Sequence, residues 1–235
     1  MRVLTEQFSL TGKNKINEDA IGFREENNLH VAAIADGVGG NDGGATASAI
    51  AIMVAIDSIS KVENLPFLSI FSDAAAHIKL EAQLDLINAN MATTLSMCQI
   101  DSLGRCRVGH VGDSRIYHLR GTGILQKTVD QTEVAALIDA GILTKSQAKT
   151  YPRRTVLTSA LSSKGNFDLY EAQFSTISGD RLIFLTDGIY RILGKKKICE
   201  TSVSFSDLAD FSKALKNLTY GKNDDDASAL ILEIN

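Results

Sequence analysis

Residues 29–48 read LHVAAIADGVGGNDGGATAS. A short run of almost unbroken apolar residues ends in an acid, Asp36, which is followed by glycines and then by small apolar residues. An apolar run of this length, bounded by turn residues, reads as a buried strand over Leu29 to Ala35. Gly44 to Ile59 reads as a helix, and its Ala, Ile, Met and Val content suits burial against a sheet. The glycines beside Asp36 give the backbone freedom to turn sharply and let a main-chain carbonyl approach whatever the carboxylate holds. The NDGG stretch can equally serve as an N-cap for the helix that follows.

Outward from this unit, the same kinds of element recur. Phe8 to Leu10 and Ala20 to Arg24 read as short strands around a turn over Thr11 to Glu18. Phe67 to about Ala89 reads as a second long helix. Thr93 to Ile100, Cys106 to Val111 and Arg115 to Leu119 are strands joined by tight turns, which implies an antiparallel meander. Thr132 to Ala140 and Lys145 to Thr150 read as short helices separated by Gly141. Strands return at Leu169 to Phe174 and Arg181 to Leu185. Phe205 to Leu218 has the pattern of an amphipathic helix, Ala227 to Ile234 that of a closing strand, and Lys195-Lys196-Lys197 that of a solvated turn. Strand clusters separated by helix pairs lack the βαβ rhythm of a parallel sheet. They suggest antiparallel sheets packed face to face with helices outside, an α+β class.

The chain has 235 residues, of which 44% are apolar and 22% charged, an ordinary globular composition that allows a sizeable core. With 2 prolines and no Gly/Ser/Pro linker, one domain over 1–235 is expected. A formal net charge of −4 gives no reason to expect nucleic acid or an anionic membrane as partner. The 3 cysteines, Cys98, Cys106 and Cys199, have no C-x-x-C spacing, which argues against a disulfide framework or a zinc site and fits a reducing cytoplasm. The start, MRVLTEQFSLTGKNK, has no signal-peptide apolar region, and the longest weakly polar run, Ala45 to Ile56, is too short to span a bilayer.

Five acidic turns stand at strand ends: NED at 17–19, DGVGG at 36–40, GDSR at 112–115, TDG at 186–188 and DDDAS at 224–228. Taken singly, each is ordinary turn or cap chemistry. As a set they suit a hard divalent cation, which takes several oxygen ligands at about 2.1 Å for Mg²⁺ and keeps some of its waters. Carboxylates converging from several loops can supply those ligands, and ions offset the repulsion among them.

The order NEDA, DGVGG, GHVGDSRIYHLRG, LTDGIY and DDAS before a final strand resembles the metal-dependent serine/threonine protein phosphatases of type 2C, in their compact bacterial form. The resemblance runs from about Thr11 to the C-terminus. Residues 130–161, DQTEVAALIDAGILTKSQAKTYPRRTVLTSAL, resemble the family's helical flap (130–155) and the segment after it. The resemblance implies a β-sandwich of two antiparallel sheets with helix pairs on both outer faces, a four-layer αββα fold with metals in a cleft at one end. It implies that phosphoserine and phosphothreonine in proteins are hydrolysed by a water or hydroxide bridging two divalent cations, Mn²⁺ or Mg²⁺. Asp36 is then the bridging ligand, with the Gly37 carbonyl on one ion and Asp187 and Asp225 completing the other ion's shell. Asp19, with Glu18 in support, acts mainly through metal-bound waters, and Asp113 serves a weaker third site. The implied partner is a phosphorylated protein, the product of a Ser/Thr kinase.

Three departures stand out. The position that usually carries a phosphate-gripping arginine is Asn14, flanked by Lys13 and Lys15, which are candidate substitutes and equally readable as solvated turn lysines. Arg191 stands four residues after Asp187, where some relatives have an aspartate for the third metal. Val38 stands where many eukaryotic relatives have a histidine. His110 and His118 lie in strands, outside any nucleophile–base motif, and read as structural. The competing reading is a catalytically weak pseudophosphatase kept as a binding module. The intact set Asp19, Asp36, Gly37, Asp187 and Asp225 weighs against it.

Overall fold

The computed structural model describes residues 1–13, 16–38, 43–60, 65–84 and 89–235. Among these residues two antiparallel sheets form. The first is built from β1 (Val3–Leu10), β12 (Ala227–Ile234), β11 (Arg181–Leu185), β7 (Arg115–Arg120) and β8 (Gly123–Gln126), in that spatial order. The second runs β10 (Tyr170–Ser175), β6 (Arg105–Val111), β5 (Leu95–Ile100), β3 (Leu29–Val38), β4 (Ala92–Thr93) and β9 (Leu161–Ser162). On the far side of β3 lies β2 (Asp19–Glu26).

The period-2 alternation of each central strand sorts the core into layers. Ala32 and Ile34 of β3, Leu182 and Phe184 of β11, and Leu230 and Leu232 of β12 pack together between the sheets. The alternate residues of β3, Val31, Ala33 and Ala35, instead meet α1 (Gly43–Asp57) and α2 (Phe67–Leu84). On the opposite outer face Ile183, Leu185, Ala229 and Ile231 meet three helices. These are α5 (Asp187–Tyr190), α6 (Lys195–Ser204) and α7 (Leu208–Thr219). Central strands covered on both faces must be apolar at every position, which is why LHVAAIA reads as a continuous run. The result is the expected four-layer sandwich.

Several boundaries differ from the sequence reading for physical reasons. The lysines at 195–197 are not a turn but the first turn of α6, whose Ile198, Cys199 and Thr201 are buried. Helix α7 starts at Leu208 rather than Phe205 because the Asp207 side chain accepts the Asp210 N–H at 3.0 Å and caps it. The strand expected over Thr93 to Ile100 is split at Thr94, whose N–H and hydroxyl both bond the Asp36 backbone, each at 2.9 Å. Strand β8 and helix α5 were not anticipated. The proposed N-cap at Asn41-Asp42 lies outside the described residues.

Asn27 and Asn28 both take positive φ, 51° and 63°, and form the two-residue turn between β2 and β3. Such a turn pins hairpin register. It sets Glu26 opposite Leu29 and, at the far end, Asp19 opposite Asp36.

Candidate functional site

The five acidic turns meet at one end of the sandwich. Asp19 opens β2 and Asp36 lies near the end of β3. Asp113 lies in the turn from β6 to β7, where the chain crosses between sheets. Asp187 opens α5 directly after β11, and Asp225 precedes β12. Burial raises the Asp36 carboxyl well above its ordinary range, and the charges of Asp19, Asp187, Asp113 and Asp225 push it the same way. Like charges set directly opposite on neighbouring strands oppose folding, so the Asp19–Asp36 pair has a stability cost unless a cation sits with it.

Asp19 and Asp187 each keep one oxygen without a partner. Asp19 Oδ2 accepts a hydrogen bond from the Thr186 hydroxyl at 2.9 Å. Its Oδ1 is buried with no hydrogen bond. Burial pushes this carboxyl up to about 7 against the nearby hydroxyls of Ser228 and Thr186, and Asp226 and Asp187 raise it further. Asp187 Oδ2 pairs with Arg191 Nη2 at 2.6 Å, while its Oδ1 is buried and unpartnered. Burial pushes Asp187 up to about 7 as well; Arg191 opposes the rise, and Asp113 and Asp225 add to it. Asp113 accepts a hydrogen bond from the Tyr190 hydroxyl at 2.9 Å and is also raised, chiefly by burial.

The three aspartates at 224–226 have separate roles. Asp224 forms an exposed ion pair with Lys13 at 2.7 Å. Asp226 accepts the backbone N–H groups of Gly12 and Glu18 at 2.8 and 2.7 Å, and so ties the loop before β2 to β12. Asp225 is exposed, and its charge acts on Asp36 and Asp187. Lys13 therefore stands on the rim beside Asp224. Lys15 and Asn14 lie outside the described residues.

Gly37 is required by packing rather than by a left-handed backbone. A Cβ there would lie 2.4 Å from the Gly44 carbonyl carbon and oxygen and 2.8 Å from the Glu18 carbonyl oxygen. The first turn of α1 thus rests directly on the strand end. Glu18 joins the same contact: its carbonyl accepts from Gly37 N–H at 3.1 Å and from the Ser48 hydroxyl at 2.6 Å. Asp36 is held by its own backbone, with its carbonyl accepting from the Thr93 hydroxyl and Thr94 N–H, both at 2.9 Å.

This donor set fits divalent cations of the hard type. It is all oxygen, it carries several negative charges, and two of its buried oxygens have nothing to bond. Among the described residues no three acidic, histidine or cysteine side chains already close into a cage. Such ions need only one or two carboxylates each, with water and backbone oxygen for the rest.

Beside the carboxylates a cleft of about 590 Å³ opens under two short helices, α3 (Glu133–Asp139) and α4 (Lys145–Ala148). Arg115 of the GDSR turn does not reach the carboxylates. Its Nε bonds both oxygens of Asp130 at 3.0 and 3.2 Å, and its guanidinium lies 3.7 Å over the Tyr190 ring. The two histidines are structural. His110 bonds Ser96 Oγ at 2.7 Å and the Val129 carbonyl at 3.0 Å, with burial pushing it down to about 4. His118 pairs with Asp180 at 2.9 Å.

Thr186 and Tyr190, which position Asp19 and Asp113, were missed from sequence. Thr186 belongs to the TDG turn and Tyr190 follows it in LTDGIY, and their closeness to an expected site acid was the available signal. For the Asp19–Asp36 pairing the signal was the Asn27-Asn28 turn, from which the register can be counted.

A family model described as Protein phosphatase 2C matches residues 9–230. The serine/threonine phosphatase stp of Listeria welshimeri is 28% identical over 233 residues, covering 93% of this chain and 90% of that protein. Among solved structures, the serine/threonine phosphatase Stp1 of Staphylococcus aureus superposes with a TM-score of 0.89 at 22% identity, over 100% of this chain and 96% of that one. The catalytic domain of the phosphatase PstP, in complex with 2 manganese ions, gives 0.84 at 23% identity, over 99% of each. At these identities the structural matches speak for the fold.

Proposed function

We propose that this chain, which belongs to the protein phosphatase 2C family, hydrolyses phosphoserine and phosphothreonine in proteins with the help of two divalent cations, Mn²⁺ or Mg²⁺. The observation that carries the reading is the pair of buried, unpartnered oxygens on Asp19 and Asp187 within one nest of carboxylates. The relative named a serine/threonine phosphatase and the manganese-bound neighbour support it.

Asp36 would hold both cations, with the Gly37 carbonyl, Asp187 and Asp225 as further ligands, Asp19 acting through water with Glu18 behind it, and Asp113 toward a weaker third site. When bound, the cations supply positive charge to the phosphoryl oxygens and lower the pKa of water towards neutrality. The chain's own work is positioning. Thr186 turns Asp19, Arg191 holds one oxygen of Asp187 and leaves the other free, and the Thr93–Thr94 step fixes Asp36. No side-chain nucleophile is needed. Lys13, on the rim, or Lys15 would steady the substrate phosphate.

We read residues 1–235 as one catalytic unit with 130–155 as its flap, working in the cytoplasm on phosphoproteins made by a Ser/Thr kinase. Cys98, Cys106 and Cys199 are unpaired and buried, as a reducing compartment would leave them. No helix among the described residues is long and apolar enough to cross a membrane. The complete acidic set gives no support to an inactive binding module. The test is hydrolysis of p-nitrophenyl phosphate and a phosphothreonine peptide with and without Mn²⁺. Turnover that EDTA and Asp36→Asn abolish is expected; metal uptake without turnover on either substrate would overturn the assignment.

A further inference from the structure

The cleft beside the carboxylates shares Asp113, Tyr190 and Arg191 with them, so a chain whose phosphate entered the carboxylate nest would lay its neighbouring residues in it. Its wall is unusual in two ways. Helices α3 and α4 bury no residue, so Val134, Ala135 and Ile138 are only half covered. These side chains line the cleft rather than a core.

Its charges are also unbalanced. The two acids at the inner end are taken, Asp130 by Arg115 and Asp113 by Tyr190, with the Arg191 guanidinium 3.8 Å from Asp113. Lys145, Lys149 and Arg154 line the outer part, and among the described residues none of them has a carboxylate within ion-pairing distance. On the neighbouring surface Glu133 is taken as well, by Arg153 at 2.7 Å. Three cations with no described counter-ion therefore line a half-apolar cleft in a protein whose net charge is −4.

We propose that this cleft is a specificity subsite for acidic residues flanking the phosphorylated side chain, with Lys145, Lys149 and Arg154 as the residues that read them. The occupant is a segment of the phosphoprotein chain carrying Asp or Glu within a few residues of the phosphate, its aliphatic parts against Val134 and Ile138. The inference rests on the proposed phosphatase reading for the placement of the phosphate.

The experiment compares two labelled peptides of equal length, each carrying a non-hydrolysable phosphonate mimic of phosphoserine, one with aspartates and one with lysines at the flanking positions. Binding to the Mn²⁺-loaded full chain is followed by fluorescence anisotropy. Partly exposed ion pairs are individually weak, so three of them should favour the acidic peptide by about tenfold. The preference should shrink toward unity at about 1 M salt, where screening is strong. Lys145→Glu/Lys149→Glu/Arg154→Glu should abolish or invert it, whereas Lys213→Glu/Lys216→Glu on α7 should keep it. Equal binding of both peptides by the native chain, or a preference that survives the triple reversal, would overturn the subsite. Turnover of p-nitrophenyl phosphate, measured in parallel, tests the phosphatase reading separately, because the anisotropy requires no catalysis.

Discussion

Arg191 Nη2 lies 2.6 Å from Asp187 Oδ2 and 3.8 Å from Asp113 Oδ2, so a guanidinium stands between two acids at the edge of the carboxylate nest. A fixed positive charge there repels a cation seeking the same oxygens. Wild-type protein should take up 2 equivalents of Mn²⁺ by isothermal titration calorimetry, the number in the manganese-bound neighbour. Arg191→Asp should add another, weaker equivalent. Arg191→Ala should tighten the existing sites by about fivefold, since one partly screened charge is worth roughly 1 kcal/mol. Unchanged stoichiometry in Arg191→Asp would show that the guanidinium does not stand in for an ion.

Asp36 bears the burial cost and the repulsion of four other acids. Asp36→Asn should therefore stabilise the metal-free protein, by about 1 kcal/mol or a few degrees in Tm, while it removes Mn²⁺ binding and turnover. A metal-free Tm lower than that of the native chain would contradict this account.

The Thr186 hydroxyl donates to Asp19 Oδ2 and accepts the Ser228 N–H, both at 2.9 Å. Thr186→Val leaves a buried N–H and a carboxylate oxygen unmatched, a cost of about 1–3 kcal/mol. Thr186→Ser should restore both stability and Mn²⁺ affinity. If valine and serine variants bind Mn²⁺ alike, Thr186 does not position Asp19.

His110 is neutral in the fold, pushed down to about 4 by burial from the 6.5 of a free side chain. Between those values the unfolded chain binds a proton that the folded chain does not. Its contribution is thus complete above pH 6.5 and is lost as pH falls toward 4. Relative to His110→Gln, wild-type stability in urea melts should fall over that window by up to about 3 kcal/mol. Parallel pH curves for the two proteins would rule this out.

Gly37→Ala places a carbon 2.4 Å from the Gly44 backbone. Strand β3 and helix α1 would have to separate, at a cost on the order of 2–4 kcal/mol, and the Gly37 carbonyl would move. Loss of both Tm and Mn²⁺ affinity is expected; calorimetry showing native affinity would mean the carbonyl tolerates the shift.

The central layers were legible because burial on both faces forces continuous apolar character, as in LHVAAIA and in the closing strand over Ala227 to Ile234, and the acidic turns were legible by their order. Lys195-Lys196-Lys197 misled because solvated first-turn residues look like a loop, while the buried Ile198 and Cys199 lie further along. Helices α3 and α4 were found although they bury nothing; the structure adds that Thr132 and Thr144 cap their starts.

Periodicity and motif order, properties of neighbouring residues, determined the layers, the family resemblance and the set of acids. Tertiary structure alone decided which acid does what. Asp224, Asp225 and Asp226 are identical in type and adjacent in sequence, yet one pairs with Lys13, one acts on Asp36 through its charge and one ties down backbone N–H groups. The physical reason is range: a carboxylate's role depends on charges and donors within a few ångströms, and here those come from residues up to 214 positions away.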